Sequence, residues 1–507
     1  MKKQLLCILL VISMAACSGC RYAADTPSSA APTLPPAEDR FDAPLGDEQL
    51  QYASTVPLLL PSLDGQRLLT EYVTLPLNHA VPSALAIVQA LLDFPGGTQT
   101  SDIHYGAALS LFGPAPVEVS SGVCTVNLSA SALQLSQENL YKACTAITAS
   151  LCQLEDVHYV NFLVAGQAVS MDITGSLPLG SQTTHPGEEL TVLWEQMTAR
   201  RAPLGENPAY TPVTSAVTLY FPLADGSGIA AETRNLTFPG QSPDQLAAGL
   251  LNALSAGAQY LSGAAPIPQL SSLLSFPAQS RELENGGRQI IIHFSPMLDK
   301  LLAQANVDMP CFISALTCTL TTFIPSVSSV QMYIGETPLT SLYSAVHGNL
   351  IFQNGVIQRQ QLAPYLMEQA TLYFGAGERL RGLLRSLPYQ HARNPRTLLL
   401  SLIAGPSQAE NKAGYEPVLP TGLTQADILG FALDGDTLLL NLSSNFAETI
   451  AARKDAEQQT CYSIVNTLGS SLGAARVRFF FDGRMRESLG GMLYWGGEFL
   501  VNPSMID

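Results

Sequence analysis

Apolar runs of five residues open three stretches of the chain: VPLLL at 56–60, VTLYF at 217–221 and ATLYF at 370–374. Each is followed by a polar turn and a second apolar run that closes on proline, at Thr74-Leu75-Pro76, Thr237-Phe238-Pro239 and Ser386-Leu387-Pro388. Short apolar runs bounded by Pro, Gly and Asp predict paired strands. A proline-initiated helix comes next, at Pro82, Pro243 and Pro395. Further on, a strand ends at Asn127-Leu128-Ser129, His293-Phe294-Ser295 and Asn441-Leu442-Ser443. A cysteine-bearing helix (Cys144, Cys311, Cys461) then leads to a last strand stopping at Gly166, Gly335 and Gly483, with Cys-to-Gly spacings of 22, 24 and 22. So many features in one order define a domain repeat. A repeated scaffold pattern of this kind builds a surface more readily than a single active site.

The middle copy is the clearest. Ser242 reads as an N-cap, with Pro243 at the first helical position and Gln245 three after the cap. Leu246, Leu250, Leu251 and Leu254 share one helix face, and Gly257 ends the helix. Asn285-Gly286-Gly287 sits where a tight hairpin is expected, before the buried arm at 290–294. The third copy starts its helix at Asn394-Pro395, stops it at Gly405-Pro406 and turns its hairpin at Asp434-Gly435. The first is the most diverged. Each unit reads β-β-α-β-β-α-β, and the expected fold class is α+β: three tandem α/β sandwiches, each with one sheet and helices on one face.

The start of the chain adds an anchor. Lys2 and Lys3 precede a 13-residue, mostly apolar run at 4–16, the pattern of a secretory signal. It is shorter than the roughly 20 residues a membrane span requires. Ser13-Met14-Ala15-Ala16-Cys17 resembles a bacterial lipobox. Cys17 is therefore expected to carry lipid, with Cys20 as the alternative, each buried methylene of the anchor contributing about 0.8 kcal/mol. Residues 17–50, rich in Pro and Ala, read as a disordered tether. The expected organisation is a signal at 1–16, the lipidated tether at 17–50, repeats at 51–180, 214–350 and 369–507, and linkers at 181–213 and 351–368.

Composition narrows the partners. The chain has 507 residues, 47% hydrophobic and only 13% charged, with a formal charge of −16. That charge argues against nucleic acid, whose phosphates need a basic footprint, and against flat docking on anionic lipid. The membrane contact expected is the lipid anchor alone. Cys144, Cys311 and Cys461 read as small buried hydrophobes at one repeated core position. Cys144 with Cys152, and Cys311 with Cys318, stand about two turns apart on one helix, roughly 10 to 12 Å by helix rise, too far for a disulfide.

No chemistry-bearing constellation emerges. Gly469-Ser470-Ser471-Leu472-Gly473 fits G-x-S-x-G, but a nucleophile elbow needs a strand entering and a helix leaving, and here the order is reversed. The seven histidines form no metal-ligand spacing. Glu155-Asp156 reads as a solvated loop. Tyr494 and Trp495 read as core packing, with an exposed aromatic strand as the alternative. No catalytic residue, metal or cofactor is assigned.

The segments LLLSLIAGPS at 398–407 and LLLNLSSNF at 438–446 resemble the GerMN domain of sporulation and spore-germination lipoproteins, with IIIHFS at 290–295 as the second match. The resemblance, carried best by Gly405 and Pro406, implies a non-enzymatic role. It implies a fold similar to ring-building envelope domains, and a location outside the cytoplasm, between two membranes in a sporulating cell. The partners it implies are other envelope or sporulation proteins, with self-association into rings. Peptidoglycan is the partner under an alternative reading as a tethered cell-wall binding module. A third reading is a hydrolase built from the long loops at 96–120 and 258–282, which hold Asp102 and His104.

Overall fold

The computed structural model describes residues 43–507, apart from residues 50, 79–82, 204, 285 and 473. The signal, Cys17, Cys20, tether residues up to 42, Pro82 and Asn285 lie outside the described residues. Ala43–Asp507 form one compact unit.

The fold is α+β, and one element order runs through it three times. The first copy has a hairpin of Gln51–Pro61 with Leu68–Asn78, helix Ser83–Asp93, strands Val117–Ser120 and Val123–Leu128, helix Gln137–Leu151 and strand Tyr159–Val164. The second has Val213–Pro222 with Ile229–Phe238, then Pro243–Ser255, Gln279–Glu282, Arg288–Phe294, Met309–Phe323 and Val327–Ile334. The third has Met367–Ala376 with Arg379–Pro388, then Pro395–Ala404, Ile428–Asp434, Thr437–Leu442, Glu457–Leu472 and Arg476–Phe481. The caps fall where the sequence places them: Ser242 accepts from Gln245 N, and Asn394 from Arg396 N and Thr397 N. Gly405, at φ 73°, stops its helix and bonds Leu402 O at 3.1 Å.

The single sheet expected for each copy is in fact divided. The opening hairpin stands alone as a two-stranded sheet, and the other strands form a separate mixed sheet. In that sheet the buried arm runs parallel to the last strand: Val123–Leu128 with Tyr159–Val164, Arg288–Phe294 with Val327–Ile334, Thr437–Leu442 with Arg476–Phe481. The cause is the second helix, which takes the hairpin's free edge. The fourth residue of each opening run donates its backbone N–H to a hydroxyl on that helix: Leu59 to Ser150 Oγ at 2.8 Å, Tyr220 to Thr319 Oγ1 at 3.0 Å, and Tyr373 to Thr467 Oγ1 at 3.0 Å. A buried strand N–H left without an acceptor costs about 1–3 kcal/mol.

These bonds fix the register between copies and correct one expectation. Cys144 and Cys461 each precede the bonding hydroxyl by six residues and the closing glycine by 22. In the second copy both spacings fall on Ile313, so Cys311 occupies a different place, in the first helical turn, where its N–H caps onto Asp308. All three cysteines are buried, and burial pushes each thiol well up.

Segments expected to be linkers or tether carry structure. Helix Leu190–Thr198 lies in the first linker, with Trp194 5.6 Å from the Tyr141 ring. A short helix, Arg359–Tyr365, occupies the second and buries Arg359. At the start, strand Gly46–Gln49 pairs in parallel with Ile428–Asp434 of the third copy, Gly46 opposite Gly430. Asn441 Nδ2 donates to Pro44 O at 3.0 Å. The approach is possible because residue 430 is glycine: a Cβ there would stand 2.4 Å from Gly46 N and 2.5 Å from Pro44 O. Residues 43–49 are therefore part of the folded body. Packing divides the body in two, since the first and second copies share one continuous hydrophobic core and the third has its own.

Candidate functional site

The richest polar chemistry lies where the three copies meet. Arg359 is buried at its centre. Its guanidinium donates to Glu118 Oε2 of the first copy at 2.6 and 3.1 Å. It also donates to Tyr220 OH at 3.0 Å and Thr322 Oγ1 at 2.6 Å of the second copy. It stands 5.0 Å over the Tyr220 ring. Burial works against the arginine's charge, but Glu118 outweighs it and holds the guanidinium more firmly protonated. A buried ion pair repays desolvation only when its geometry is good and its remaining donors are satisfied; here both conditions hold.

One hydroxyl joins all three copies. Ser120 Oγ of the first donates to Met367 O of the third at 2.6 Å and accepts from Ala231 N of the second at 3.3 Å. Asp156 of the first pairs with Arg393 of the third at 2.8 Å, so this carboxylate, read as solvated, bridges repeats.

Beside these contacts opens a cleft of about 940 Å³ with walls from every copy. The first contributes the turn at 121–123 and residues 156–159; the second contributes 231–236 and 259–261; the third contributes Glu368 and Gln369. Two of its charged groups are held by backbone and by each other, Arg234 Nε standing 3.6 Å from Glu232 Oε1. Glu232 accepts from Gln259 N, Tyr260 N and Leu261 N at 2.7 to 3.1 Å. Arg234 donates to Ala253 O at 3.1 Å and Gly257 O at 2.9 Å. Glu368 differs. It is 8% exposed, its Oε1 accepts from Gln369 N at 3.1 Å, and its Oε2 has no partner. Burial above all pushes its carboxyl up to about 7. Ser121 Oγ, which also lines the cleft, is likewise buried without a partner.

Other sequence candidates have structural tasks. Ser470 and Ser471 of the G-x-S-x-G stretch are helical, and Ser470 Oγ donates back to Asn466 O at 2.6 Å. His104 bonds Leu92 O through Nε2 at 2.7 Å and accepts from Leu109 N at 3.1 Å, while Asp102 accepts from His104 N. Trp495 is fully buried and donates to Glu457 at 2.7 Å, whereas Tyr494 is exposed. Gly405 O accepts from Arg385 at 3.3 Å, and Pro406 follows it at the helix end. Among the described residues no group of three His, Cys, Asp or Glu side chains converges to hold a metal ion. Sequence reasoning missed Arg359 and Glu368, which stand at a junction that no local pattern marks.

A family model described as sporulation and spore germination, Germane, matches residues 63–170 and 371–487, which are the first and third copies. These two repeats are the parts of the chain that resemble the Germane family. The second copy lies between the matches and shares their β-β-α-β-β-α-β order, with short helices of its own inserted. Among solved structures, the tandem GerMN domains of the sporulation protein GerM from Bacillus subtilis are 14% identical, with a TM-score of 0.22, covering 61% of this chain and 98% of that one. The first GerMN domain of the same protein is 15% identical, with a TM-score of 0.20, covering 24% of this chain and 90% of that one. At such identities no residue role passes from either to this chain. No curated protein matches.

Proposed function

We propose that this chain is a non-catalytic, lipid-anchored scaffold of the cell envelope that acts in sporulation or spore germination through contacts with other proteins. The observation that carries this reading is the joining of the repeats. Arg359, Glu118, Tyr220 and Ser120 all serve to fix three copies of one fold into a single body. A body held by buried, satisfied polar bonds presents its outer faces in a constant arrangement, which an assembly platform requires. The Germane matches set the cellular context, and the lipobox at Cys17 supports a location on the outer side of the membrane.

The test is light scattering with negative-stain imaging of the compact unit Ala43–Asp507 over a range of concentrations. Discrete rings or oligomers are expected. A strict monomer at every concentration would remove self-assembly. Co-sedimentation with purified peptidoglycan would then favour the cell-wall binding reading.

A further inference from the structure

We infer that the cleft at the three-repeat junction is a binding site for a small molecule carrying a protonated primary amine, with Glu368 receiving the ammonium group. The argument starts from which polar groups in the cleft are free. Glu232 and Arg234 are held by backbone partners, and Asp156 is paired with Arg393. Glu368 Oε2 and Ser121 Oγ are the buried acceptor atoms left without a partner in the cleft lining, and the remaining unpartnered atom, Arg234 Nε, is a donor 3.6 Å from Glu232 Oε1. An unpartnered buried carboxyl is costly, so native structures rarely keep one without a reason.

The charge around it selects the ligand's sign. Asp156 is balanced by Arg393 and Glu232 by Arg234, which leaves Glu368 as the uncompensated acid of the cleft lining, so an anion is disfavoured and a cation favoured. An ammonium offers three donors and no acceptor, which suits an unpartnered carboxylate and a neighbouring hydroxyl oxygen. Hydrogen bonds between charged groups are roughly twice as strong as neutral ones. Ala253, Ala256 and Leu261 give the cleft an apolar side for the carbon skeleton. A volume of about 940 Å³ falls within the roughly 300–1,000 Å³ of small-molecule sites.

Both free atoms are shielded from bulk water, so an entering ammonium draws the Glu368 carboxyl toward the cleft and loosens its bond from Gln369 N. Arrival of the cation also stabilises the ionised carboxylate. Because burial holds the carboxyl near pH 7 in the free protein, amine binding at neutral pH releases protons.

The amine has two natural sources, an amino sugar or the amino group of an amino acid or peptide. The experiment is titration calorimetry on the unit Ala43–Asp507 with n-butylamine, glucosamine and lysinamide, set against 1-butanol and N-acetylglucosamine. The three amines are expected to bind and their uncharged counterparts not to. A preference for glucosamine over lysinamide assigns the amino-sugar source, and the reverse assigns the peptide source. Titrations in two buffers of different ionisation enthalpy should show proton release at pH 7. Glu368→Gln, which keeps size and shape, should weaken amine binding at least tenfold and abolish the release. Ser121→Ala should weaken binding by a smaller factor. Amine binding unchanged in Glu368→Gln, equal binding of the uncharged analogues, or no binding of any amine would overturn the proposal.

Discussion

The fused pair of repeats and the third repeat share an element order but differ in how they are held and in what they carry. The first and second copies merge into one hydrophobic core with a buried Arg359–Glu118 pair at its heart. The third keeps a core of its own and meets the pair through the bonds of Ser120 and Arg393, through Met367 packed against Leu223 and Ala230, and through Tyr389, which reaches into the shared core. Charge divides the same way. Residues 51–366 hold 9 Lys and Arg against 21 Asp and Glu, while residues 367–507 hold 12 against 14. The negative charge that argues against anionic surfaces therefore belongs to the fused pair, and the third repeat is close to neutral. One fold, copied, can thus be given distinct duties by changing its junctions and its surface while the backbone plan stays.

The largest test of this contrast is Arg359→Met. It leaves Glu118 buried and unpaired, which costs about 3–5 kcal/mol. Calorimetry should show the transition of the fused pair moving to lower temperature while that of the third repeat stays. The double variant Glu118→Leu with Arg359→Met should recover most of the loss, because an apolar pair of similar volume replaces the ionic one. Equal shifts of every transition would mean that the two cores are not separable.

Glu368→Gln probes the seam between the two parts. The carboxyl is raised from an ordinary 4.5 to about 7 by burial. Below about pH 4.5 it is protonated in folded and unfolded chains alike and contributes no pH dependence. As pH rises from there to 7, the unfolded chain ionises first, so the folded state loses stability across that window. The variant should therefore match the parent at pH 4 and exceed it at pH 8, by up to about 3 kcal/mol, in denaturant titrations at both values.

Gly430→Ala gives the smallest effect. The added methyl group collides with Gly46 and Pro44 and should release residues 43–49 from the third repeat. Hydrogen exchange should quicken at these residues and little elsewhere, with a loss of about 1 kcal/mol for the bonds given up.

Much of the fold was legible because local chemistry specified it. Ser242-Pro243 and Asn394-Pro395 start helices, Gly405 stops one, and Gly166, Gly335 and Gly483 close strands at positive φ. What was not legible depended on distance along the chain. The hairpins separate from the sheets because hydroxyls on a helix some ninety to a hundred residues away, Ser150, Thr319 and Thr467, take their edges. Cys311 drew attention as a repeated cysteine, yet register assigns its place to Ile313, a larger but equally apolar and buried side chain. Arg359 stood in a stretch read as linker, and nothing beside it in sequence announces Glu118, 241 residues earlier. The cleft draws its free groups, Ser121 and Glu368, from copies far apart in the chain.

The strand at Gly46–Gln49 also sets where mechanical load enters the molecule. Tension on the chain ahead of Ala43 reaches the third repeat first, through the parallel pairing with Ile428–Asp434 and the Asn441–Pro44 bond. The first repeat, next in sequence, is bypassed. The third repeat is thus the one that bears the strain, and the fused pair behind it is spared the pull.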